Sequence, residues 1–221
     1  MKRKGLKSLL LVFVLSTLAI ALSGCSGDKE GENSSQITIG IPQDLEDSLD
    51  PHKMVAAGTK EVLFNLFEGL VKPTSDGDFI PAVASKYEES EDGKVYTFTL
   101  RDGVKFHDGT LVTAEDVKFS LDKCADASKG EPLVAAYSNI ESIEIADEKT
   151  IVITLKEPNT EFLAYMTTAI IPASNADPDT NPIGTGPYKF VSRSPQENFV
   201  MERFDDYWGE PAYIKDVTFK I

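Results

Sequence analysis

Histidine and cysteine are scarce in this chain of 221 residues, which contains two of each. His52 and His107 are far apart in sequence, whereas metal sites need clustered ligands, usually paired histidines or cysteines at short spacing. His107 precedes Asp108-Gly109 in a turn context and is predicted to be an exposed loop histidine. The sequence therefore predicts no metal site and no cofactor.

The shortage of histidine and cysteine also argues against catalysis. Cys124 with either histidine would be the minimum for a cysteine nucleophile and its base, but no local signature of such an enzyme surrounds it. Cys124 falls at helical spacing with Val117 and Leu121, which favours a small buried apolar residue over the alternative of a reactive thiol. The chain is predicted not to be an enzyme.

Positively charged residues are also few compared with negatively charged ones. The chain has 22 Lys and Arg against 36 Asp and Glu, a formal net charge of −14. Nucleic acid binding requires clustered cations, so no nucleic acid partner is expected. A strongly acidic surface mainly keeps a protein soluble and monomeric, and it could also attract cationic peptides.

The one long apolar run lies near the amino terminus. Leu9 to Leu22 carries no charge and follows four cations, which is the pattern of a secretory signal. The run is shorter than the roughly 20 apolar residues of a membrane-spanning helix. The uncharged stretch from Ser8 to Gly27 does reach that length, so an uncleaved membrane anchor is the alternative.

The end of this run resembles a bacterial lipobox, in the sequence Leu22-Ser23-Gly24-Cys25. We therefore predict a lipoprotein signal peptide at residues 1–24, lipid attachment at Cys25 and a flexible polar tether at 25–36. With lipid on Cys25, Cys124 has no partner for an intramolecular disulfide. The expected location is the cell membrane, where the protein is held through its lipid and faces the extracytoplasmic side.

Periodic patterns predict strands and helices along the rest of the chain. Ile37–Ile41 is a short β-branched strand. Thr59 is a candidate N-cap for a helix whose apolar stripe is Leu63, Phe67 and Leu70.

Further along, alternation predicts a half-buried strand that ends at Leu100, with Tyr96 and Phe98 on its apolar face. Thr113 and Asp116 form a signal like a capping box before a helix. Ile140–Ile145 and Thr150–Leu155 predict a hairpin. This order of elements indicates the α/β class with a mixed sheet.

Four segments together carry a resemblance to a known family. They are Asn65–Leu70 (NLFEGL), Tyr96–Leu121 (YTFTLRDGVKFHDGTLVTAEDVKFSL), Asn181–Phe190 (NPIGTGPYKF) and Arg203–Ile221 (RFDDYWGEPAYIKDVTFKI). In this order they resemble the family 5 extracellular solute-binding proteins, the oligopeptide, dipeptide and nickel receptors of ABC importers. The resemblance runs from about residue 37 to residue 221.

The resemblance implies a fold, a function and partners. The fold is the mixed-sheet first lobe of a type II periplasmic-binding-protein-like fold, truncated before the second lobe. Residues 37–221 would form a partial solute-binding domain, with a subdomain inserted at roughly 79–182. The implied function is that of a substrate-binding lipoprotein, present as an N-terminal fragment, which delivers short peptides to ABC permease subunits and their ATPase. The alternatives are a receptor for a nickel chelate or another small solute, and a truncated product that binds nothing.

The resemblance also implies candidate ligand contacts. Family members place the segment before the first long helix at the ligand cleft, which corresponds here to Ala57, Gly58 and Thr59; these residues could instead only cap the helix. Tyr137 lies where related receptors place an aromatic side chain against the ligand, and core packing is the alternative. Gly184-Thr185-Gly186 is expected to form a tight strand-entry turn, and Trp208 to serve packing.

Overall fold

The computed structural model describes residues 35–46, 48–128 and 130–221. The predicted signal peptide, Cys25 and nearly all of the predicted tether lie outside the described residues. In chain order the elements are β1 (Gln36–Gly40), α1 (Ala57–Leu63), β2 (Val71–Pro73), β3 (Phe79–Pro81), β4 (Ala84–Glu89), β5 (Val95–Leu100), α2 (Ala114–Ala125), a 3-10 turn (Ala135–Asn139), β6 (Ile140–Asp147), β7 (Thr150–Leu155), α3 (Phe162–Tyr165), β8 (Tyr188–Ser194), β9 (Asn198–Arg203) and β10 (Asp216–Lys220). No helix among these is long and apolar enough to cross a bilayer.

The first and last parts of the described chain share one mixed sheet. Its strand order is β1-β10-β9-β8, in which β1 and β10 are parallel and the other pairs are antiparallel. One face of this sheet is buried against α1 and its flanking loops. The core formed there contains Leu45, Leu49, Val62, Leu63, Leu66, Phe67, Ile171, Phe199, Met201, Val217 and Phe219. The predicted α/β class with a mixed sheet is confirmed.

The middle of the chain builds a second sheet with the order β4-β5-β7-β6, all antiparallel. The predicted alternation is confirmed, since Tyr96, Phe98 and Leu100 of β5 are buried on one face. The predicted hairpin is also present as β6 and β7. A separate hydrophobic core lies beneath this sheet and consists mainly of residues between Leu70 and Ile170. The inserted subdomain boundaries at about 79–182 stay a prediction.

Helix α2 covers the second core as its sequence predicts. The hydroxyl of Thr113 accepts a hydrogen bond from the Asp116 amide at 3.2 Å, while the Asp116 carboxylate accepts one from the Thr113 amide at 3.0 Å. Val117, Leu121 and Cys124 are fully buried on one face. Burial raises the pKa of the Cys124 thiol to about 12, so the prediction of a small buried apolar residue is confirmed.

Helix α1 differs from its prediction at both ends. Thr59 is not the N-cap; that position is Ala56, which makes no side-chain capping bond. The helix stops at Leu63 and its apolar stripe does not continue as a helix. The reason is that backbone amides of a distant segment donate hydrogen bonds to the carbonyls just after Leu63. The Gly186 amide donates to the Leu66 carbonyl at 2.9 Å, and the Tyr188 amide donates to the Asn65 carbonyl at 3.1 Å.

Candidate functional site

The loop before α1 is held by a partly exposed hydrogen-bond network that takes over the capping function. The Glu46 carboxylate accepts hydrogen bonds from the amides of Val55 and Ala56, at 3.0 and 3.1 Å. The Thr59 hydroxyl in turn accepts a hydrogen bond from the Glu46 amide at 3.1 Å. Glu46 therefore satisfies amides at the start of α1 from across the loop, and Thr59 orients Glu46.

The predicted contact residues Ala57, Gly58 and Thr59 begin α1 beside a depression of about 480 Å³. Gly58 and Thr59 line it, whereas Ala57 is exposed to solvent outside it. The depression lies where β1 and β10 end, and the carboxyl ends of parallel strands are the usual ligand side of an open α/β sheet. Its other lining residues are Ile39, Gly40, Ile41, Pro42, Gln43, Asp44, Leu45, Ala56, Glu61, Val62 and Phe219. Ligand contact by these three residues stays a prediction.

A second depression, of about 330 Å³, lies on the other side of α1. It separates residues 51–67 from Val134, the end of α3 and the segment that follows α3. We call it the α1 groove. Its first wall is formed by Pro51, Met54, Lys60, Leu63, Phe64 and Phe67, and its second by Val134, Ala164, Tyr165, Thr167, Thr168 and Ala169. The groove is mostly apolar and carries one cation, Lys60.

One exposed large apolar side chain lines the α1 groove, and two more are sequence neighbours of lining residues. Phe64, which lines it, is 61% exposed, Val55 beside Met54 is 79% exposed, and Leu133 beside Val134 is 53% exposed. Large exposed apolar side chains that cluster in this way mark ligand or protein contact surfaces more often than isolated ones do. The α1 groove is thus the stronger candidate of these two depressions. The sequence analysis named two of its residues, Leu63 and Phe67, only as part of a helix stripe.

The two walls of the α1 groove are tied together from below. His52 Nε2 donates to the Ala169 carbonyl at 2.8 Å, and burial lowers the pKa of His52, which favours this neutral form. The fully buried carboxylate of Asp50 accepts from the His52 amide at 3.1 Å and from Lys123 Nζ at 2.8 Å. This arrangement makes the groove a preformed feature of the lobe.

Tyr137 supports the second wall from behind. Its ring is buried, and its hydroxyl lies 2.8 Å from the Tyr165 carbonyl oxygen and 2.9 Å from Thr168 Oγ1. Burial raises the pKa of this hydroxyl. The structure does not bring Tyr137 next to Ala57–Thr59, so a ligand contact there stays a prediction. Leu133 is the large apolar residue of the same loop that is exposed, and its signal was an apolar residue directly after a proline in a polar loop.

The segments that carried the family resemblance meet elsewhere, at a backbone junction. Gly184 and Gly186 lie against the Leu66 carbonyl, where the Gly186 amide forms its hydrogen bond. His107 joins the same point: its Nδ1 accepts from the Gly184 amide at 3.2 Å and its Nε2 donates to the Gly186 carbonyl at 3.1 Å. The prediction that His107 is an exposed loop residue is wrong, because both ring nitrogens are engaged in a partly buried site.

Glu68 anchors the other side of this junction. Its buried carboxylate accepts hydrogen bonds from the Tyr207 hydroxyl at 2.6 Å and from Trp208 Nε1 at 2.5 Å. Lys72 Nζ lies 3.2 Å from the same carboxylate and 4.7 Å from the centre of the Trp208 ring. The guanidinium of Arg101 covers this ring at 4.2 Å. These motifs therefore build the framework of the lobe, and Trp208 contributes a hydrogen bond as well as packing.

His107 gives stability a pH dependence that can be measured. Burial lowers its pKa to about 4, whereas a histidine in an unfolded chain has a pKa of about 6.5. Between these values the unfolded chain binds more protons, so stability is lost as the pH falls from about 6.5 towards 4. We expect a loss of about 2 kcal/mol between pH 7 and pH 5 from His107.

The measurement is urea unfolding, followed by circular dichroism, of the chain and of His107→Gln at both pH values. The variant should be less stable at pH 7 but should lose less stability on acidification. An equal loss in both proteins would contradict the role given to His107. Proton NMR titration of the two histidines provides a direct check.

Within the described residues, no three His, Cys, Asp or Glu side chains are grouped so as to hold a metal ion.

Comparison with known proteins identifies the family of the chain. The family described as "Bacterial extracellular solute-binding proteins, family 5 Middle" matches residues 78–221. The chain belongs to this family, as its motifs predicted. The family consists of extracellular binding proteins and not of enzymes, which places the chain outside the cytoplasm.

Individual relatives agree on class and fold. The glutathione-binding protein GsiB of Pectobacterium atrosepticum is 33% identical over 169 residues, covering 73% of this chain and 33% of that protein. Binding protein AgaA from A. tumefaciens R10, solved with agropinic acid, has a TM-score of 0.78 at 32% identity, covering 84% of this chain and 39% of its own. DppA from Helicobacter pylori, solved with the peptide STSA, has a TM-score of 0.77 at 28% identity, covering 88% and 44%. The chain thus spans less than half the length of these relatives.

Proposed function

We propose that the chain provides one wall of a peptide-binding site that serves an ABC importer. The observation that carries this proposal is the α1 groove, in a chain of the family 5 solute-binding class. Apolar walls with the exposed Phe64, and the exposed Leu133 next to Val134, suit the side chains of a short peptide, and Lys60 suits a carboxylate. The names of two relatives, which refer to glutathione and to a bound peptide, point to the same ligand class.

In this proposal the ligand is enclosed when a second lobe closes over the groove, and the closed form meets the permease subunits and their ATPase. Ligand sites normally bury about 70–90% of a small ligand. One wall alone leaves much of a peptide in water. We therefore expect the 221-residue chain to bind peptides only weakly, with dissociation constants above about 0.1 mM.

The test is NMR titration of the chain with glutathione, a tetrapeptide and a nickel–histidine chelate in separate arms. Peptides should shift signals of Met54, Phe64 and Leu133 at millimolar concentration. Phe64→Ser should reduce these shifts, while Phe119→Ser should leave them unchanged, since Phe119 is exposed on α2 outside the groove.

The pattern of shifts in this titration decides the ligand class and the position of the site. Shifts with the chelate alone would replace peptide by a metal chelate as the ligand. No shifts in any arm would favour a chain that binds nothing, and shifts centred on the depression beside Gly58 would move the site there.

We also propose that lipid on Cys25 holds the protein at the outer face of the membrane. Support comes from the apolar run and from the Leu22–Cys25 lipobox, and two acyl chains suffice for stable attachment. Metabolic labelling with a fatty-acid probe and mass spectrometry should find lipid on the wild-type chain and none on Cys25→Ser. Label retained by the variant would favour a membrane-spanning anchor or an ordinary signal peptide instead.

A further inference from the structure

Helix α2 lines no part of the α1 groove, yet three of its residues hold the segments that do. Ser120, Lys123 and Cys124 lie on one face of this helix, because they are spaced three and four positions apart from Ser120. The Ser120 hydroxyl accepts a hydrogen bond from the Ile171 amide, just after the second wall, at 3.0 Å. The Cys124 carbonyl accepts one from the amide of Val134, a second-wall residue, at 3.2 Å. Both bonds fix the second wall to α2.

Lys123 extends from the same face of α2 to the first wall, where it binds Asp50. Its Nζ donates to Asp50 Oδ2 at 2.8 Å, and the Asp50 carboxylate is fully buried. Lys53 Nζ also lies 3.7 Å from this oxygen, but Lys53 follows Asp50 in the same loop and does not connect it to α2. Separating a buried carboxylate from its close ammonium partner leaves an uncompensated charge, so this pair confines Asp50 to one position.

Asp50 organises the turn that precedes α1. Its carboxylate accepts a hydrogen bond from the His52 amide at 3.1 Å, and its carbonyl accepts one from the Lys53 amide at 3.0 Å. These two bonds close a turn, whose backbone therefore moves together with Asp50. Pro51 lies inside this turn and Met54 directly follows it, and both line the first wall. The position of Asp50 thus sets the positions of two wall residues.

We propose that Lys123 is a positioning residue for ligand binding in the α1 groove. It does not line the groove; through Asp50 it fixes Pro51 and Met54 relative to the second wall, which the same helix holds. The separation of the two walls therefore depends on one helix that is bound to both of them. This inference rests on the proposed function of the groove and adds a residue outside the groove on which that function depends.

Two spin labels measure the separation of the walls without any ligand. Val55→Cys and Leu133→Cys, in the full chain with Cys25→Ser in non-ionic detergent, place labels at exposed positions next to Met54 and Val134 in sequence. Cys124 is fully buried, so it stays unlabelled. Double electron–electron resonance should give one narrow distance distribution for this reference chain.

Lys123→Met should broaden that distribution, because methionine keeps much of the apolar stem but has no charge to hold Asp50. Asp50→Asn is the second variant, since it leaves no unpaired carboxylate in the core. Its amide oxygen still accepts from the His52 amide, while the ion pair is lost. If both variants act through this pair, the double variant should give a distribution no broader than that of either single one. Circular dichroism checks that each variant is folded.

Lys118→Met is the matched control on the same helix. Lys118 Nζ pairs with Asp122 at 2.9 Å and donates to the Ile143 carbonyl at 2.8 Å, and neither partner lines the groove. The substitution thus removes a cation and an ion pair from α2 without touching the segments that form the walls. The distance distribution should stay as narrow as in the reference chain.

Peptide binding is measured on the unlabelled chains by NMR titration with tetra-alanine, followed through the signals of Phe64. Substitutions that touch no ligand but act on its site change affinity by modest factors. Lys123→Met and Asp50→Asn should each raise the dissociation constant about threefold to tenfold. Lys118→Met should leave it unchanged.

The two measurements separate a failure of this inference from a failure of the proposed function. A reference chain whose groove signals do not respond to tetra-alanine or to the ligands of the earlier titration would overturn both. Peptide binding with an unchanged distance distribution in Lys123→Met and Asp50→Asn would overturn the positioning role alone. The same holds for a broadened distribution with unchanged affinity, and for equal broadening in Lys118→Met.

Discussion

Gly184→Ala is expected to lower the free energy of unfolding by about 3 kcal/mol or more and to leave little folded protein. A Cβ atom at position 184 would meet the Leu66 carbonyl oxygen and, at 2.5 Å, a ring carbon of Phe67. The Leu66 carbonyl cannot retreat, because the Gly186 amide is bonded to it. Both the carbonyl and the Gly184 amide bound to His107 would have to shift.

Gly58→Ala is the matched control. A Cβ at position 58 meets no atom within 4 Å, and the position lies in the first turn of α1. Alanine should therefore stabilise the chain by about 0.5–1 kcal/mol, since it restricts the unfolded chain and favours the helix. Urea unfolding at pH 7 measures both variants. Similar stability for the two alanine variants would show that the junction is not close-packed.

Glu68→Ala should destabilise the chain by about 3–5 kcal/mol. The substitution leaves the Tyr207 hydroxyl, the Trp208 indole N–H and the Lys72 ammonium without their shared acceptor in a largely buried site. Unpaired buried donors incur their full desolvation penalty. Glu68→Gln should lose less, because the amide oxygen still accepts from one donor.

Glu88 provides the control for this carboxylate. It forms an ion pair with Lys86 at 3.0 Å, but its side chain is 70% exposed. Ion pairs of this kind contribute less than about 1 kcal/mol, so Glu88→Ala should change stability by about 0.5 kcal/mol or less. Chemical denaturation of the three variants, read by Trp208 fluorescence, gives the comparison. A loss in Glu68→Ala no larger than that in Glu88→Ala would refute the anchoring role of Glu68.

The sequence predicted those elements whose signals are local. The alternation of Tyr96, Phe98 and Leu100 gave the face of β5, and the Thr113–Asp116 pair gave the start of α2. Such signals involve residues two to four positions apart, and nothing distant competes with them. The order of four motifs also identified the family, since a shared order of segments reflects a shared fold.

Predictions from local sequence patterns were wrong where a residue's hydrogen-bond partner lies in a distant segment. Helix α1 stops early because Gly186 and Tyr188, more than a hundred residues away, take its next carbonyls. His107 looked exposed because its neighbours Asp108-Gly109 indicate a turn, while its partners Gly184 and Gly186 are remote in sequence.

The candidate site likewise combines residues that the sequence pointed to with residues that only the structure revealed. Resemblance pointed to Ala57–Thr59 and Tyr137, and the tertiary structure added the α1 groove with its exposed Phe64. The residue type alone does not distinguish an apolar side chain that is exposed at a groove from one that is buried in the core. Only the position of the surrounding chain distinguishes them.

By itself, the sequence determined the family, the mixed α/β class, the central strands and helix α2, because periodicity, capping and motif order are properties of neighbouring residues. The tertiary structure alone decided where α1 ends, what His107 and Glu68 bind and which face carries the groove. Each of these depends on contacts between segments that are far apart in the chain, and a pattern of neighbouring residues does not encode which distant segments meet.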